Sequence, residues 1–173
     1  MKALTIWQPW ASLIIAGAKP YEFRGWRAPR SIIGQRIVIH AAARKMNLLE
    51  TLDLFRVLTM RDRSDDHRVD AAETCLVPEK ALPILGMAIG GELPMACGLG
   101  TAIVGEPRPG PEIAEEFSVP RANDSDRDEH ANWGWPMLDI EVWDASVPMR
   151  GAQGFWHWPT PEELSLTTEA VDA

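Results

Sequence analysis

The chain is organised around a short stretch near its start, Ala16-Gly17-Ala18-Lys19-Pro20-Tyr21-Glu22-Phe23-Arg24-Gly25-Trp26-Arg27. Gly17 is typical of a helix end, because glycine adopts the left-handed backbone conformation without steric cost. From Tyr21 onward aromatic and charged residues alternate, and successive side chains of a strand point to opposite faces. We therefore predict a strand with Tyr21 and Phe23 in the core. Its other face carries Glu22, Arg24 and Trp26.

Four kinds of side chain meet in this small area: an ammonium, a carboxylate, a guanidinium and an indole. Lys19 lies in the turn ahead of the strand, where Lys19 and Glu22 can share a proton and act as base and acid. Arg24 can bind a phosphate or carboxylate through two parallel hydrogen bonds, which a lysine cannot do. If the chain is an enzyme, we therefore predict Lys19, Glu22 and Arg24 as its catalytic residues. The alternative is an exposed ion network without function, as most such surface sets are.

The spacing Gly17-x-Lys19-x-x-Glu22-x-Arg24 resembles the signature of the ASCH domain family, a branch of the PUA-like superfamily. Three other segments resemble the first strand and helix, the next strand and the closing strand of that family: residues 4–13, 34–41 and 147–156. The resemblance implies an α+β fold, a PUA-like, mostly antiparallel β-barrel with flanking helices. A mostly antiparallel barrel also follows from several strands with a few helices and no βαβ rhythm.

Members of the ASCH family are linked to RNA binding, to ribonuclease activity and, in one branch, to hydrolysis of N4-acetylcytidine. The resemblance therefore implies a module that holds RNA or a modified nucleotide in a cleft lined by the motif. The amidohydrolase branch has a nucleophilic threonine where this chain has Glu22, which counts against amide hydrolysis here.

Cleavage of single-stranded RNA is the alternative function, with Lys19 as base or phosphate ligand and Arg24 stabilising the developing charge. A divalent metal, Mg²⁺ or Mn²⁺, enters only if the chain is a nuclease; no cofactor is otherwise predicted. A small-molecule or protein-interaction module is a further alternative.

Charge is distributed unevenly along the chain. The net charge of −8 by itself argues against nucleic acid as a partner. Residues 1–45, however, carry eight basic side chains against one acid, a balance of +7 that leaves −15 for the rest. A basic face on an acidic body can hold an anionic ligand locally. The alternative is that these arginines pair with acids from later segments.

The chain has eight tryptophans, and Trp7, Trp10 and Trp26 bracket the charged strand. Trp26 shares the face of Arg24 and is the best candidate for stacking an unpaired base. Core packing is the alternative function of an indole, and we expect it for Trp143 and Trp156. The predicted nucleic-acid-binding residues are Gln8, Trp10, Ser12, Lys19, Arg24, Trp26 and Arg27.

The length of 173 residues suits one domain. We predict a single domain over residues 1–159, a helical insertion at about 46–94 and a short tail over 160–173. Within the insertion, Asn47 and Glu50 form a capping box that starts a helix, whose buried stripe we expect to be Leu48, Leu52, Phe55 and Leu58. Residues 86–100 are glycine-rich and are predicted to be a flexible approach to the next strand. Later, we expect a half-buried strand with Leu138, Ile140 and Val142 inward.

Several classes of protein are disfavoured by what the sequence lacks. No apolar run is long enough to cross a bilayer, and we expect no signal peptide. Two cysteines without a CxxC pair fit reduced thiols, so we predict a cytoplasmic protein. The four histidines do not have the spacing of a zinc site. The acidic run at 124–128 lacks the glycine and glutamate of a calcium loop, so we predict no metal ligands.

Overall fold

The structure is a computed structural model that describes residues 1–60, 75–119, 132–160 and 162–163. The acidic run at 124–128 and most of the predicted tail lie outside these ranges. The strands are β1 Lys2–Ile6, β2 Tyr21–Arg24, β3 Arg36–Ala41, β4 Cys97–Val104, β5 Arg108–Pro109, β6 Trp133–Pro148 and β7 Phe155–His157. The helices are α1 Trp10–Ile15, α2 Leu48–Met60, α3 Pro78–Ile89 and α4 Gly110–Phe117.

One curled sheet contains these strands in the order β2-β6-β4-β3-β1-β7, and β5 pairs with β6 beside that path. β1 and β3 are parallel, whereas every other pairing of the described strands is antiparallel. β3 lies inside the sheet and is buried on both faces, as its continuous apolar sequence predicts. This mostly antiparallel half-barrel with flanking helices confirms the predicted α+β, PUA-like fold.

The main core joins the sheet to α1. Apolar side chains from β1, β3, β4 and β6 pack with Ile14 of α1. The indole of Trp135 in β6 stacks on the ring of Phe155 in β7, with ring centres 5.9 Å apart and an interplanar angle of 12°. Since β6 and β7 lie near opposite ends of the sheet order, this stack connects the two sides of the half-barrel through its interior.

Helices α2 and α3 pack on α1 and form a second core, and both fall within the predicted helical segment at 46–94. The start of α2 is as predicted, because the Asn47 side chain accepts a hydrogen bond from the Glu50 backbone N–H at 3.4 Å. The predicted stripe is wrong at its beginning: Leu48 and Leu52 are exposed, whereas Leu54 and Leu58 are buried against the other helices. Periodicity defines an apolar stripe but not which edge of it packs on α1.

The predicted flexible approach at 86–100 is also wrong at both ends. Helix α3 continues through Gly86 to Ile89, and β4 already begins at Cys97. A glycine inside a helix costs only about 1 kcal/mol relative to alanine. Burial of Leu85 and Ala88 offsets that cost.

The orientation predicted for the late strand is wrong at two of its three positions. Leu138 and Val142 of β6 are exposed, whereas Ile140 is partly buried against the main core. The fully buried apolar side chains of β6 are Trp135 and Met137. The pairing of β6 with β4 shifts register twice, and Asp139 has a positive φ of 45°. Each such irregularity disturbs the alternation of faces on which the sequence pattern depends.

Candidate functional site

The turn after α1 directs Lys19 inward. Gly17 has a φ of +66°, as predicted for a helix-ending glycine, and the backbone N–H groups of Ala18 and Lys19 both donate to the Leu13 carbonyl. The Lys19 side chain is fully buried, and its Nζ donates to the Tyr21 carbonyl at 2.6 Å and to Glu22 Oε2 at 3.1 Å. Lys19 therefore lies beneath the charged strand and does not line the neighbouring cleft.

Glu22 is held between two cations. Its Oε2 pairs with Lys19, and its Oε1 lies 2.7 Å from a terminal nitrogen of Arg24. Burial disfavours the charged carboxylate, but the charges and hydrogen bonds of Lys19 and Arg24 outweigh it and lower the pKa of Glu22. The set is therefore not the exposed ion network of the alternative reading, since Lys19 and Glu22 are both buried.

Arg24 is the member of the motif that both touches Glu22 and reaches the surface. Its side chain is 27% exposed, and its guanidinium carbon lies 5.9 Å from the ring centres of both Trp26 and Trp135. The Nε of Arg24 is buried and has no hydrogen-bond partner among the described residues. An unsatisfied buried donor costs about 1–3 kcal/mol, so this arrangement of Arg24 carries a cost in the free protein.

A cleft of about 1600 Å³ adjoins this group. Most of its lining comes from four separate segments, of which the first runs from β1 to the start of α1 and the last joins β6 to β7: residues 4–10, 22–26, 43–47 and 148–155. Glu22, Arg24 and Trp26 lie on the wall formed by β2 and its continuation. The carboxylate, guanidinium and indole therefore meet at a concavity, as the alternation in the sequence predicts.

Only some of the other predicted binding residues line the cleft. Trp10 and Gln8 line the cleft, whereas Ser12 and Arg27 do not. The Gln8 amide is already engaged, because its Nε2 donates to Ser12 Oγ and to the Pro94 carbonyl, each at 2.8 Å, and its Oε1 accepts from the Ser12 N–H. Arg27 is ion-paired with Glu106 outside the cleft.

Three cleft cations were not among the predicted site residues: Arg44, Lys45 and Arg150. Within the described part of the chain none of them has a carboxylate within 4 Å. The sequence signal that could have found Arg44 and Lys45 is the basic excess of residues 1–45. Pairing with later acids, the alternative explanation for that excess, holds for Arg27 and for Arg36, which contacts Asp139 and Glu141.

Trp143 and Trp156 pack in the protein and do not line the cleft, whereas His40 is buried at its wall. Trp143 and Trp156 lie against Trp158, which confirms the core packing predicted for them. The buried His40 has its Nε2 2.9 Å from the Met149 carbonyl. Across the described ranges, no three His, Cys, Asp or Glu side chains are grouped as metal ligands would be. No helix in those ranges has the length and apolar character needed to span a membrane.

Comparison with known proteins gives one result on the family of this chain. No curated protein matches it significantly. The ASCH domain matches residues 4–99, which is more than half of the 173 residues and includes the whole Gly17–Arg24 motif. The match also extends over α2 and α3, which the motifs in the sequence left unexplained. Membership of this family is consistent with a nucleic-acid-related domain, and we conclude that the chain belongs to the ASCH domain family.

Proposed function

We propose that this chain is a nucleic-acid-recognising domain that binds single-stranded RNA or a modified nucleotide in the cleft. The observation that carries the proposal is Arg24, fixed by the buried Glu22 beside the exposed indole of Trp26 at the wall of the cleft. A guanidinium can donate to a phosphate or to the edge of a base, and an indole can stack on any base.

The charge pattern supports the same proposal. The net charge of the protein is −8, whereas Arg44, Lys45 and Arg150 bring positive charge to the cleft and have no carboxylate partner among the residues that the structure describes. An acidic surface repels a polyanion everywhere except at such a patch. The proposed occupant is therefore confined to the cleft rather than spread over the surface.

The burial and pairing of Lys19 and Glu22 favour RNA binding over RNA cleavage. Lys19 has no exposed surface, so contact with an RNA phosphate would require the turn to open. Both Glu22 oxygens are engaged by cations, and the lowered pKa of Glu22 makes it a weak base near neutral pH. We therefore propose that Lys19 and Glu22 position Arg24. A catalytic role for the three residues, with or without Mg²⁺ or Mn²⁺, stays a prediction.

Fluorescence anisotropy with labelled single-stranded RNA tests the proposal. The decisive variant is Arg24→Lys, which keeps a cation near Glu22 but loses the planar fork, and its matched control is Arg30→Lys at an exposed site outside the cleft. Loss of a hydrogen bond from a charged group is worth about 1.5–3 kcal/mol, so we expect Arg24→Lys to weaken binding about 10- to 150-fold. We expect Arg30→Lys to bind like the wild type, with affinity falling as salt rises.

The same RNA separates the alternatives. Incubation with Mg²⁺, Mn²⁺ or a chelator, followed by electrophoresis, should leave the RNA intact. Cleavage that disappears in Arg24→Lys would instead establish the ribonuclease alternative. Mass spectrometry of N4-acetylcytidine after incubation tests the amidohydrolase alternative, for which we expect no deacetylation. Absence of RNA binding at low salt would overturn the proposal and favour a small-molecule or protein-interaction module.

Two further predictions from the sequence stand as proposals beside this one. Residues 1–159 are proposed to form a single domain, with residues 160–173 as a tail. A cytoplasmic location is proposed from the cysteine content. Limited proteolysis that removes only the end of the chain would support the first, and cleavage between the sheet and helices α2 and α3 would contradict it.

A further inference from the structure

Two exposed indoles line the cleft, although a single base would need only one. The side chains of Trp7 and Trp26 are 55% and 57% exposed. An arginine accompanies each: the guanidinium of Arg44 lies 3.8 Å from the ring centre of Trp7, and that of Arg24 lies 5.9 Å from the ring centre of Trp26. Both indoles therefore present apolar surface to the same cavity, each next to a cation.

These indoles come from different walls of the cleft. Trp7 directly follows β1 and Trp26 follows β2, and β3, β4 and β6 separate those two strands in the sheet. The cleft volume of about 1600 Å³ is also larger than the roughly 300–1,000 Å³ of sites that take one drug-sized ligand. A single nucleotide is of that smaller size, so stacking on Trp26 leaves the wall at Trp7 uncovered.

Three cations of the cleft, one of which stacks on Trp7, indicate what ligand the remaining space accepts. Arg44 and Lys45 follow β3, and Arg150 lies in the connection from β6 to β7. Within the described ranges these three have no carboxylate partner, unlike Arg24, Arg27 and Arg36. Guanidinium and ammonium groups without a carboxylate partner, in the same cleft as an exposed indole, are complementary to a phosphate that is joined to a base.

We propose that the occupant of the cleft is a strand with at least two successive unpaired nucleotides rather than a free nucleoside or mononucleotide. One base stacks on Trp26 beside Arg24, the other stacks on Trp7, and Arg44, Lys45 and Arg150 hold the phosphates of the strand. This inference rests on the proposed function and specifies its ligand: the recognised unit is a short single-stranded segment.

Binding as a function of ligand length tests this inference on the full chain. Isothermal titration calorimetry compares uridine monophosphate with uridine oligonucleotides of two, four and eight residues at one low salt concentration. The wild type should gain at least tenfold in affinity between the mononucleotide and the dinucleotide, and less with each further residue. The gain is measured as the ratio of the two dissociation constants.

Variants at Trp7 test whether stacking on this second indole causes the gain in affinity. Trp7→Ala should lower the ratio of the two dissociation constants toward one, because loss of one stacked base, worth about 1–3 kcal/mol, removes most of the gain. Trp7→Phe should restore most of the ratio because it restores a ring. Arg44→Ala should lower the dinucleotide affinity and flatten its salt dependence by about 0.7 in the logarithmic slope. The matched control, Arg30→Ala outside the cleft, should keep the wild-type ratio.

The possible failures differ. If mononucleotide and dinucleotide bind equally tightly, or if Trp7→Ala keeps the wild-type ratio, the two-nucleotide inference is wrong while the proposed function stands. Preference for a duplex over the single strand also overturns the inference. If no nucleotide or RNA binds, the proposed function itself fails. Should Trp7→Ala not fold, as judged by circular dichroism, Trp7→Phe and Arg44→Ala decide the question.

Discussion

Replacing Lys19 with methionine removes a buried ammonium group while keeping a side chain of similar length. In the wild type this group neutralises Glu22 at 3.1 Å and donates to the Tyr21 carbonyl at 2.6 Å. Removing one partner of a buried ion pair costs about 3–5 kcal/mol when the other charge is left uncompensated. Because Arg24 still pairs with Glu22 at 2.7 Å, we expect a cost near the lower end of that range, about 3 kcal/mol. For a chain of this length each kcal/mol lowers the melting temperature by about 2–4 °C, so we expect a decrease of roughly 6–12 °C.

Differential scanning calorimetry at neutral pH measures this decrease, with Lys2→Met as the matched control. Lys2 is exposed, so its replacement should change the free energy of unfolding by less than about 0.5 kcal/mol. Equal melting temperatures for Lys19→Met and Lys2→Met would refute the burial of Lys19 against Glu22. RNA affinity measured well below the melting temperature gives an independent readout, because the proposed positioning of Arg24 depends on the same carboxylate.

Three further predictions concern the motif, the sheet and the helices. Because the pKa of Glu22 is lowered in the folded state, Glu22 stabilises the fold fully above the pKa of an unfolded glutamate and progressively less as pH falls through the lower folded value. The free energy of unfolding in urea between pH 7 and pH 3 should therefore depend less on pH for Glu22→Gln than for the wild type. An unchanged pH dependence would contradict the pairing of Glu22 with Lys19 and Arg24. Gly100→Ala should destabilise the protein by about 1–3 kcal/mol, because its Cβ would lie 2.3 Å from the Glu141 carbonyl oxygen. Gly86→Ala in α3, where a Cβ would meet open space, should stabilise it by about 0.5–1 kcal/mol in urea unfolding. Equal effects of the two substitutions would exclude the close contact between Gly100 and Glu141. Leu54→Ala should lower the free energy of unfolding by about 2–5 kcal/mol in the same assay, because Leu54 is buried. Leu52→Ala should lower it much less, because Leu52 is exposed. The reverse order would support the buried stripe that the periodicity of the sequence predicts.

Local patterns predicted the parts of the fold that depend on neighbouring residues. Gly17 ends the first helix, Tyr21 and Phe23 are buried, and β3 is internal, because each depends on backbone preference or on strand alternation. The same rules failed along β6. The register shifts opposite Gly98–Ile103 arise from pairing with β4, a partner that is distant in sequence.

For the site, too, the sequence predicted what depends on neighbouring residues and failed where distant residues decide the arrangement. The motif spacing correctly brought Glu22, Arg24 and Trp26 to one wall of a cleft. It could not show that Lys19 points into the protein, because that depends on how the turn after α1 packs over Phe23 and Trp10. Arg150 is more than a hundred residues from the motif and reaches the cleft only through the β6–β7 connection. No local pattern could have included it.

The fixed position of Arg24 has a consequence for how tightly a ligand can be held. An arginine on an open surface samples many rotamers, and immobilising such a side chain on binding costs about 0.5–1.5 kcal/mol. The Glu22 carboxylate, itself anchored by Lys19, restrains the guanidinium before any ligand arrives. Most of that entropy is lost during folding, so the preorganised Arg24 side chain lowers the entropic cost of ligand association. Core substitutions that weaken the Lys19–Glu22 ion pair would therefore accelerate ligand release, although the substituted residues do not contact the ligand.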